Sequence, residues 1–317
     1  MRTKIIIGTR ASALAMAQAE WVAKQLAGAH PGLTVVLERI TTRGDTITDV
    51  PLSRIEGKGV FTKELERALL DRRTDLAVHS MKDLPAELPP GLAIACVPER
   101  EDPHDVLVYR EGESSLAALP SGPVIGTSSL RRAAQIRAAR PDAEIIDIRG
   151  NVDTRLRKLH IGTMHAIVLA LAGLNRLGLA AQHAVVNLPF DVMLPAAGQG
   201  ALAIETRQDD GELRELLTPL HHQPTFTATN AERMLLGLVG GGCHVPLGVN
   251  ARHEDGRLRV DAVLCTTDGR RVARASATAG PDDWRSAAQA VWDDLAAQGG
   301  VDIIAEVNGR GGMMNDE

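Results

Sequence analysis

The chain has 317 residues, of which 44% are hydrophobic and 24% are charged, a composition typical of a soluble globular protein with two or three domains. Its net charge of −5 argues against a general nucleic-acid-binding protein, and it has no run of about eighteen apolar residues that would span a membrane. The start, MRTKIIIGTRASALAM, lacks the long apolar stretch of a signal peptide, so we expect a cytoplasmic protein.

Strands and helices alternate in the first third of the chain. Strands are predicted at 4–8, 33–40 and 75–80, and helices at 11–27 and over FTKELERALLDRR, where apolar residues recur at helical spacing. This βαβ order predicts a mainly parallel sheet covered by helices.

The same alternation restarts after the polar stretch REDPHD (100–105). VLVYR, PVIGT, AEIIDIRG and AIVLALAG read as strands, and helices are predicted to begin near Ser129, Asn151 and Leu174. LPAAGQGALAIETR (194–207) then returns the chain to a further strand. We predict one α/β domain from 1–99 with 200–218, a second from 105–193, and hinges near 100–104 and 194–199.

The last third predicts a small α+β domain, 222–317. A helix over 225–238 is followed by strands that Asp-Gly turns at 255–256 and 268–269 join into an antiparallel sheet, and by a final amphipathic helix. Only the tail, NGRGGMMNDE, reads as disordered. The predicted fold is therefore two α/β domains flanking a cleft, plus this C-terminal domain.

Basic and hydroxyl residues follow four of the predicted strands, in IIIGTRAS, LAVHSMKD, VIGTSSLRR and IIDIRGNVDTR. Ligands of open α/β sheets bind outside the carboxyl ends of strands, where helix N-termini favour anions and arginine forks pair with carboxylates. A single arginine would more often be a solvated surface cation, but the recurrence at four strand ends predicts a site for several carboxylates or phosphates. Because neither GxxxxGK[ST] nor a GxGxxG turn after a strand is present, carboxylates are favoured over nucleotide phosphates.

One acid, Asp83, lies among these cations. Opposite charges favour its ionised form, so it would stabilise a cationic intermediate or relay a proton, although a helix cap or a salt bridge to Lys82 is an equal alternative. RIEGKGVFTKELE (54–66), with Gly57 and Gly59 before a helix, is compatible with a mobile flap or a plain loop. No HExxH or similar spacing supports a metal site.

The three cysteines differ in their surroundings. Cys96 in LAIACV and Cys265 in AVLCTT are predicted to be buried strand residues, and the absence of CxxC spacing argues against disulfides or zinc. Cys243 follows three glycines in VGGGCHVPLG, which indicates a thiol with room for a bulky group.

Seven segments together resemble the porphobilinogen deaminase (hydroxymethylbilane synthase) family, in order and over nearly the whole chain: TTRGD, GKGVFTKELE, DLAVHSMKDLP, GTSSLRR, RGNVDTRLRKL, PAAGQGALAIE and GGGCHVPLG. The resemblance implies a transferase that condenses four porphobilinogen molecules head to tail, with release of four ammonia, into the linear tetrapyrrole hydroxymethylbilane. It also implies two domains resembling periplasmic binding proteins and a dipyrromethane cofactor, made from the substrate and joined to a cysteine by a thioether. We expect a monomer that binds no metal, nucleic acid or membrane.

The resemblance assigns a role to each matching position. Cys243 matches the cofactor attachment site, Asp83 the catalytic acid, and Lys58 and Phe61 the mobile flap. The remaining matches are expected to bind cofactor or substrate: Arg10, Ser12, Ser80, Lys82, Thr127, Ser128, Ser129, Arg131, Arg132, Arg149, Arg155 and Gln199. The chain departs from the family pattern at Ala11, Ala13, Arg54 and Gly240; Arg54 stands where a lysine is common, and Gly240 where an acid is common.

Two alternatives explain parts of the pattern. A non-catalytic two-lobed module for a polycarboxylate would explain the arginines, but not Asp83 together with Cys243. A cysteine-nucleophile enzyme such as an acyl transferase needs a base beside the thiol; His244 is adjacent, but no Cys-His-Asp order supports it.

Overall fold

The computed structural model describes residues 2–46, 62–112, 115–240 and 245–313. Over these ranges the chain forms two compact units, the first made of 1–101 and 200–226 and the second of 102–199 and 227–317. The three-domain division predicted above, with its boundaries, stays a prediction.

The first unit is built on a five-stranded sheet. Its strands are β1 (Lys4–Thr9), β2 (Thr34–Arg39), β3 (Leu76–Ser80), β4 (Leu92–Cys96) and β10 (Leu202–Arg207), in the order β2-β1-β3-β10-β4. Its helices are α1 (Ala13–Ala29), α2 (Arg43–Thr46), α3 (Lys63–Leu70) and α7 (Gly211–Leu217). Ile5, Ile7, Val78 and Ile204 point from the strands into a core that Leu26 of α1 completes.

The second unit contains a five-stranded sheet and a three-stranded sheet. The first has β5 (Asp105–Tyr109), β6 (Val124–Gly126), β7 (Glu144–Ile146), β8 (Ala166–Ala170) and β9 (Val185–Asn187), in the order β7-β6-β8-β5-β9, with α4 (Leu130–Ala139), α5 (Val152–Ile161) and α6 (Leu171–Arg176). The second has β11 (Leu247–Glu254), β12 (Arg257–Cys265) and β13 (Val272–Ala279), accompanied by α9 (Trp284–Ala297) and α10 (Gly300–Met313). Helix α8 (Gln223–Leu238) precedes this sheet in the chain.

The prediction of mainly parallel sheets is confirmed for four of the five strands in each sheet, and one strand in each, β10 or β5, runs in the opposite direction. β1 pairs in parallel with β2 and β3, and β6 with β7 and β8, whereas β10 and β5 run antiparallel to both of their neighbours. A parallel pair needs a crossover connection, such as α1 between β1 and β2 or α4 between β6 and β7. β5 and β10 each follow a segment that crosses between the units, so no crossover helix sets their direction.

The predicted antiparallel C-terminal sheet is confirmed. β12 pairs along its length with β11 and β13, and its alternate residues Val260, Ala262 and Leu264 lie in the core with Val291 of α9. Gly256 and Gly269 both have positive φ, as the Asp-Gly turns require. The tail was expected to be disordered from Asn308, but the backbone continues as helix α10 to Met313.

No helix in the described part of the chain combines the length and the apolar character needed to cross a membrane.

Candidate active site

The predicted site residues of the first unit lie at one edge of its sheet. β1 and β3 are parallel neighbours, so Arg10 and Ser12, which follow β1, lie at the same edge as Ser80, which ends β3, and Asp83, which follows it. These four residues line one pocket, together with Gln18 and His79. The pocket is therefore placed where open α/β sheets bind ligands.

The side chains around this pocket are held by local hydrogen bonds. Ser12 is the N-cap of α1, and its hydroxyl accepts the N–H of Ala15 at 3.3 Å. The amide of Gln18, one turn further along, donates to Ser80 Oγ at 2.8 Å. Helix α1 thus begins at the pocket and presents its N-terminal end there, an arrangement that favours negative charge.

Asp83 lies at the end of a short 3₁₀ helix, Met81–Asp83, and is exposed. Ser80, and not Asp83, occupies the N-cap position of that helix, so the helix-cap interpretation of Asp83 is not supported. Lys82 beside it is partly buried. An exposed carboxylate in a pocket that also contains a guanidinium is positioned to meet a cationic or N–H-bearing ligand.

A buried polar pair lies behind the pocket and was missed by the sequence analysis. His79 Nε2 is 3.0 Å from Glu205 Oε2, with both side chains almost completely buried. Glu66 is close enough to interact electrostatically with both, and burial is the main cause that raises its pKa. Leu76 to His79 of β3 are all buried, so the pattern of this strand did not distinguish the histidine from an ordinary core residue.

The hydroxyl residues of the second unit form the turn between β6 and α4. Ser129 is the N-cap of α4 and accepts the N–H of Arg132 at 3.4 Å, while Thr127 Oγ1 accepts the N–H of Ser129 at 3.2 Å. Ser128 Oγ donates to the carbonyl of Ile148 at 2.5 Å, which ties this turn to the segment after β7. The hydroxyl groups that were predicted to bind a ligand therefore also make the hydrogen bonds that hold this turn in its conformation.

Arg131 and Arg132 lie at the start of α4 and are only 7% and 6% exposed. Both guanidinium groups bond to Asp105, from Arg131 Nη1 at 2.5 Å and from Arg132 Nη2 at 2.7 Å. The side-chain amide of Gln199 donates to the same carboxylate at 2.9 Å. Three predicted binding residues thus converge on one carboxylate that the sequence analysis did not select.

The signal for Asp105 was present but was assigned to the polar stretch 100–105. It is the first residue of β5, a strand in which every residue is buried, and is itself 0% exposed. A lone acid at the start of a fully buried strand requires a cationic partner, because an unpaired buried charge is very costly. Its partners are 26 and 27 residues away along the chain, which no local pattern reveals.

Arg149 and Arg155 lie at the other predicted turn of this sheet, before and within α5. Arg149 Nε is 3.8 Å from Asp147, and Arg155 Nε donates to the carbonyl of Gly150 at 2.8 Å. Burial, reinforced by repulsion from Arg132 and Arg149, lowers the pKa of Arg155 to about 10. Arg155 is thus a partly buried cation among like charges, and an anion beside it would relieve that repulsion.

The burial and repulsion that lower the pKa of Arg155 also lower the stability of the folded protein, which gives a testable prediction for Arg155→Met. The native pKa of Arg155 lies below its ordinary value, so the cost to folding is fully present below about pH 10 and is lost as the pH rises from there through the ordinary pKa of arginine. We expect Arg155→Met, made in a Cys243→Ser background so that no cofactor is attached, to raise the Tm at pH 7.5 by about 2 °C. Made alone, Arg155→Met should impair cofactor loading.

The matched control is Arg157→Met, on the exposed side of the same helix. It should change neither the Tm nor the loading. A lower Tm for Arg155→Met, combined with normal loading, would contradict this account of the arginine.

Three predicted site residues, Cys243, Lys58 and Phe61, lie outside the described residues. Just before Cys243, α8 ends at Leu238 and the chain turns at Gly240, which has φ +66° and an N–H bonded to the carbonyl of Gly237 at 3.0 Å. A left-handed glycine after a helix is a common C-terminal cap. Gly240 therefore stands where side chains are disfavoured, which gives a physical reason for glycine here instead of an acid.

We expect Gly240→Ala to lower the free energy of unfolding by about 1 kcal/mol, because the left-handed conformation is strained for a residue with a Cβ. Among the described residues, an added Cβ would meet no atom within 4 Å, so the expected cost is conformational. Urea unfolding measures it, with Gly28→Ala, in the last turn of α1 and equally uncrowded, as the control that should be neutral or stabilising. Equal stability of the two variants would refute the capping role.

The other two cysteines are buried, as predicted. Cys96 ends β4 and Cys265 ends β12, and both are free thiols. Burial raises the pKa of Cys96 to about 12 and that of Cys265 to about 11, so neither provides a thiolate near neutral pH. Among the described residues, no group of three or more His, Cys, Asp and Glu side chains is arranged to hold a metal ion.

The mixed α/β sheets, with arginines and helix N-termini at the carboxyl ends of their strands, define an α/β protein of the class that binds small anionic molecules.

Comparison with known proteins identifies the family within this class. The family model "Porphobilinogen deaminase, dipyromethane cofactor binding domain" matches residues 5–215, and the model of the "Porphobilinogen deaminase, C-terminal domain" matches 226–296. Porphobilinogen deaminase of Desulforudis audaxviator is 49% identical over 97% of this chain and 99% of its own length. That of Roseiflexus sp. strain RS-1 is 50% identical over 96% and 100%. This chain belongs to the porphobilinogen deaminase family.

Among solved structures, the chain is similar to the probable amino-acid ABC transporter extracellular-binding protein YtmK of Bacillus subtilis. The TM-score is 0.44 at 12% identity, covering 69% of this chain and 90% of that one.

Proposed function

We propose that this chain is the transferase that joins four porphobilinogen molecules head to tail, releasing four ammonia, to form hydroxymethylbilane. The growing chain starts from a dipyrromethane cofactor attached to Cys243, and Asp83 is the acid at which each addition takes place. The observation that carries the proposal at residue level is the exposed Asp83 in a pocket shared with Arg10, in a chain matched by both family models.

The residues present fit the dipyrromethane cofactor. Each pyrrole bears an acetate and a propionate, so the ligand is a polyanion. In the second unit Arg131 and Arg132 share one carboxylate, and Arg155 is a cation whose pKa is lowered by burial and by its neighbouring arginines. Both arrangements are stabilised by added negative charge, which supports these residues as the groups that hold the cofactor and chain.

When bound, the cofactor supplies a nucleophilic pyrrole α-carbon to which the first substrate is joined. The protein's own part centres on Asp83. Loss of ammonia from the aminomethyl group of porphobilinogen breaks a C–N bond and leaves a cation, which a carboxylate at hydrogen-bonding distance stabilises and orients through the pyrrole N–H. Formation of the new C–C bond would require the pyrrole α-carbon that forms it to lose its proton, and the Asp83 carboxylate is suited to accept that proton or pass it on.

The pocket supports this role by its construction. Arg10 and the N-terminal end of α1, which Ser12 caps, favour the carboxylates of the substrate at this pocket. Gln18 fixes Ser80 at the end of β3, immediately before the turn that carries Asp83. Asp83 therefore follows a strand end that a hydrogen bond holds in position, and electrostatic catalysis depends on charged groups being fixed in this way.

The alternative of a non-catalytic polycarboxylate-binding module is not favoured. It would account for the arginines, but the curated relatives that match nearly the full length of the chain bear the name of an enzyme. The proposal further includes a monomeric, cytoplasmic enzyme that needs no metal, on the strength of the family resemblance.

Incubation of the purified protein with porphobilinogen tests the proposal. We expect one hydroxymethylbilane and four ammonia for every four substrate molecules consumed. Binding of porphobilinogen without release of ammonia would instead support the non-catalytic module.

A further inference from the structure

Asp105 lies at the ligand-binding edge of the second unit although it begins its strand. β5 runs antiparallel to β8, and Asp105 is paired in register with Ala170, the last residue of β8. The carboxyl ends of the parallel strands β6, β7 and β8 point to this edge. Asp105 therefore lies at the same edge as the turns that carry the predicted binding arginines.

The carboxylate of Asp105 is saturated by side chains from two other segments. Oδ2 accepts Arg131 Nη1, while Oδ1 accepts Arg132 Nε at 3.0 Å, Arg132 Nη2 at 2.7 Å and Gln199 Nε2 at 2.9 Å. Such charge-assisted contacts are the strongest hydrogen bonds in proteins.

Backbone carbonyls fix the two guanidinium groups further. Arg131 Nη1 donates to Leu194 O at 2.7 Å, and Arg132 Nη1 donates to Val168 O at 2.9 Å. Each guanidinium is thus held between a carbonyl and Asp105. Because a guanidinium is a rigid planar fork, bonds to some of its N–H groups set the direction of the others.

The charges of Asp105, Arg131 and Arg132 do not cancel one another. Two guanidinium cations face one carboxylate, and all three side chains are 8% exposed or less. Burial acts to raise the pKa of Asp105, but Arg131 and Arg132 together hold it well below the usual range, so the carboxylate is ionised at all physiological pH values. One positive charge in the buried group is left without a partner within it, and a buried unbalanced cation favours an incoming anion.

We propose that Asp105 is a positioning residue of this enzyme: it fixes the guanidinium groups of Arg131 and Arg132 and leaves them one net positive charge for one carboxylate of a bound pyrrole. This inference rests on the proposed function. It assigns Asp105 no contact with the substrate, since its oxygens are occupied by the arginines and by Gln199.

The first unit offers a matched control in Asp210. This aspartate is also buried and also bonds to two arginines, from Arg2 Nη2 at 2.8 Å and from Arg207 Nη2 at 3.2 Å. It caps α7, and none of its partners is a predicted site residue. Both asparagine variants should have a lower Tm. Asp105→Asn leaves two buried arginines without their carboxylate, and Asp210→Asn leaves Arg2 and Arg207 with the longer contacts to Asp75, at 3.3 and 3.8 Å.

The experiment compares Asp105→Asn with Asp210→Asn in the full-length holoenzyme. Intact mass measures cofactor loading, and steady-state kinetics with porphobilinogen measure KM and kcat. We expect Asp105→Asn to load incompletely or to raise KM about tenfold, the effect of losing about 1.4 kcal/mol of binding. Asp210→Asn, at a comparable loss of Tm, should load fully and keep its KM.

A double-mutant cycle tests whether Asp105 acts through the arginines. In an Arg132→Gln background, the further change Asp105→Asn should raise KM much less than it does in the wild type. Additive effects would overturn the proposal, as would normal loading and KM in Asp105→Asn.

Asp105→Glu decides the matter if Asp105→Asn does not fold. It keeps the charge but moves it by one methylene, so we expect a loaded enzyme with KM raised about threefold; an unchanged KM would overturn the proposal. The wild type in the same assay separates the two hypotheses. If it forms product while the Asp105 variants behave normally, only this inference fails, whereas a wild type that forms no product removes the proposed function and the inference with it.

Discussion

Asp83→Asn should fold and carry its cofactor, but lose turnover by about a hundredfold or more. The amide keeps the shape of the side chain and removes the charge that stabilises the cation formed when ammonia leaves, and losses of this size are typical of general acid–base and electrostatic groups. Because Asp83 is exposed, the substitution should change the Tm little. Intact mass, Tm and kcat on the same preparation measure the three expectations.

Asp71→Asn is the matched control for that variant. Asp71 is likewise exposed, follows α3 in the same unit and is bonded only at the surface, with Arg67 at 3.6 Å. It should retain normal turnover. Turnover of Asp83→Asn within a few fold of the control would mean that the reacting centre lies elsewhere.

Cys243→Ser should remove the covalent cofactor completely and, with it, all product formation. A serine hydroxyl is a far weaker nucleophile than a thiol near neutral pH, so the thioether has no equivalent in the variant. The protein should be lighter than the wild type by two linked pyrrole units in addition to the sulfur-to-oxygen change, as measured by intact mass.

Cys265→Ala is the control for the cysteine. Its thiol, at the end of β12, is buried with Ala134 of α4, Leu194 and Val263 and has a raised pKa, so it takes no part in attachment. This variant should keep the full cofactor mass and lose only about 1 kcal/mol of stability from the small cavity. Cofactor retained on Cys243→Ser, or lost from Cys265→Ala, would show that the wrong thiol has been assigned.

The sequence predicted the elements that depend on local chemistry. Helices were expected near Ser129 and Asn151, and both residues are helix N-caps whose side chains accept a backbone N–H. The Asp-Gly turns, the alternation along β12 and the two buried cysteines were also correct. In each case the signal lies within a few residues of the feature it predicts.

The incorrect or missing predictions depend on distant partners. The sequence did not predict that β5 and β10 run antiparallel to the other strands of their sheets, because their neighbours in the sheet come from other parts of the chain. The buried pair of His79 and Glu205 joins residues 126 positions apart, and Asp105 holds arginines in the next helix. The family resemblance supplied candidate ligand-binding residues, but only the structure shows that Arg131 and Arg132 share a carboxylate within the protein.

The most direct test of the central claim is the intact mass of the wild-type enzyme, quenched during reaction with limiting porphobilinogen. If the chain builds a tetrapyrrole stepwise on a covalent primer, the spectrum contains the resting enzyme and a series of species, each heavier by one pyrrole unit, up to four additions. The series should be absent from Cys243→Ser. A single unchanged mass while product accumulates, or the same series on Cys243→Ser, would contradict the account.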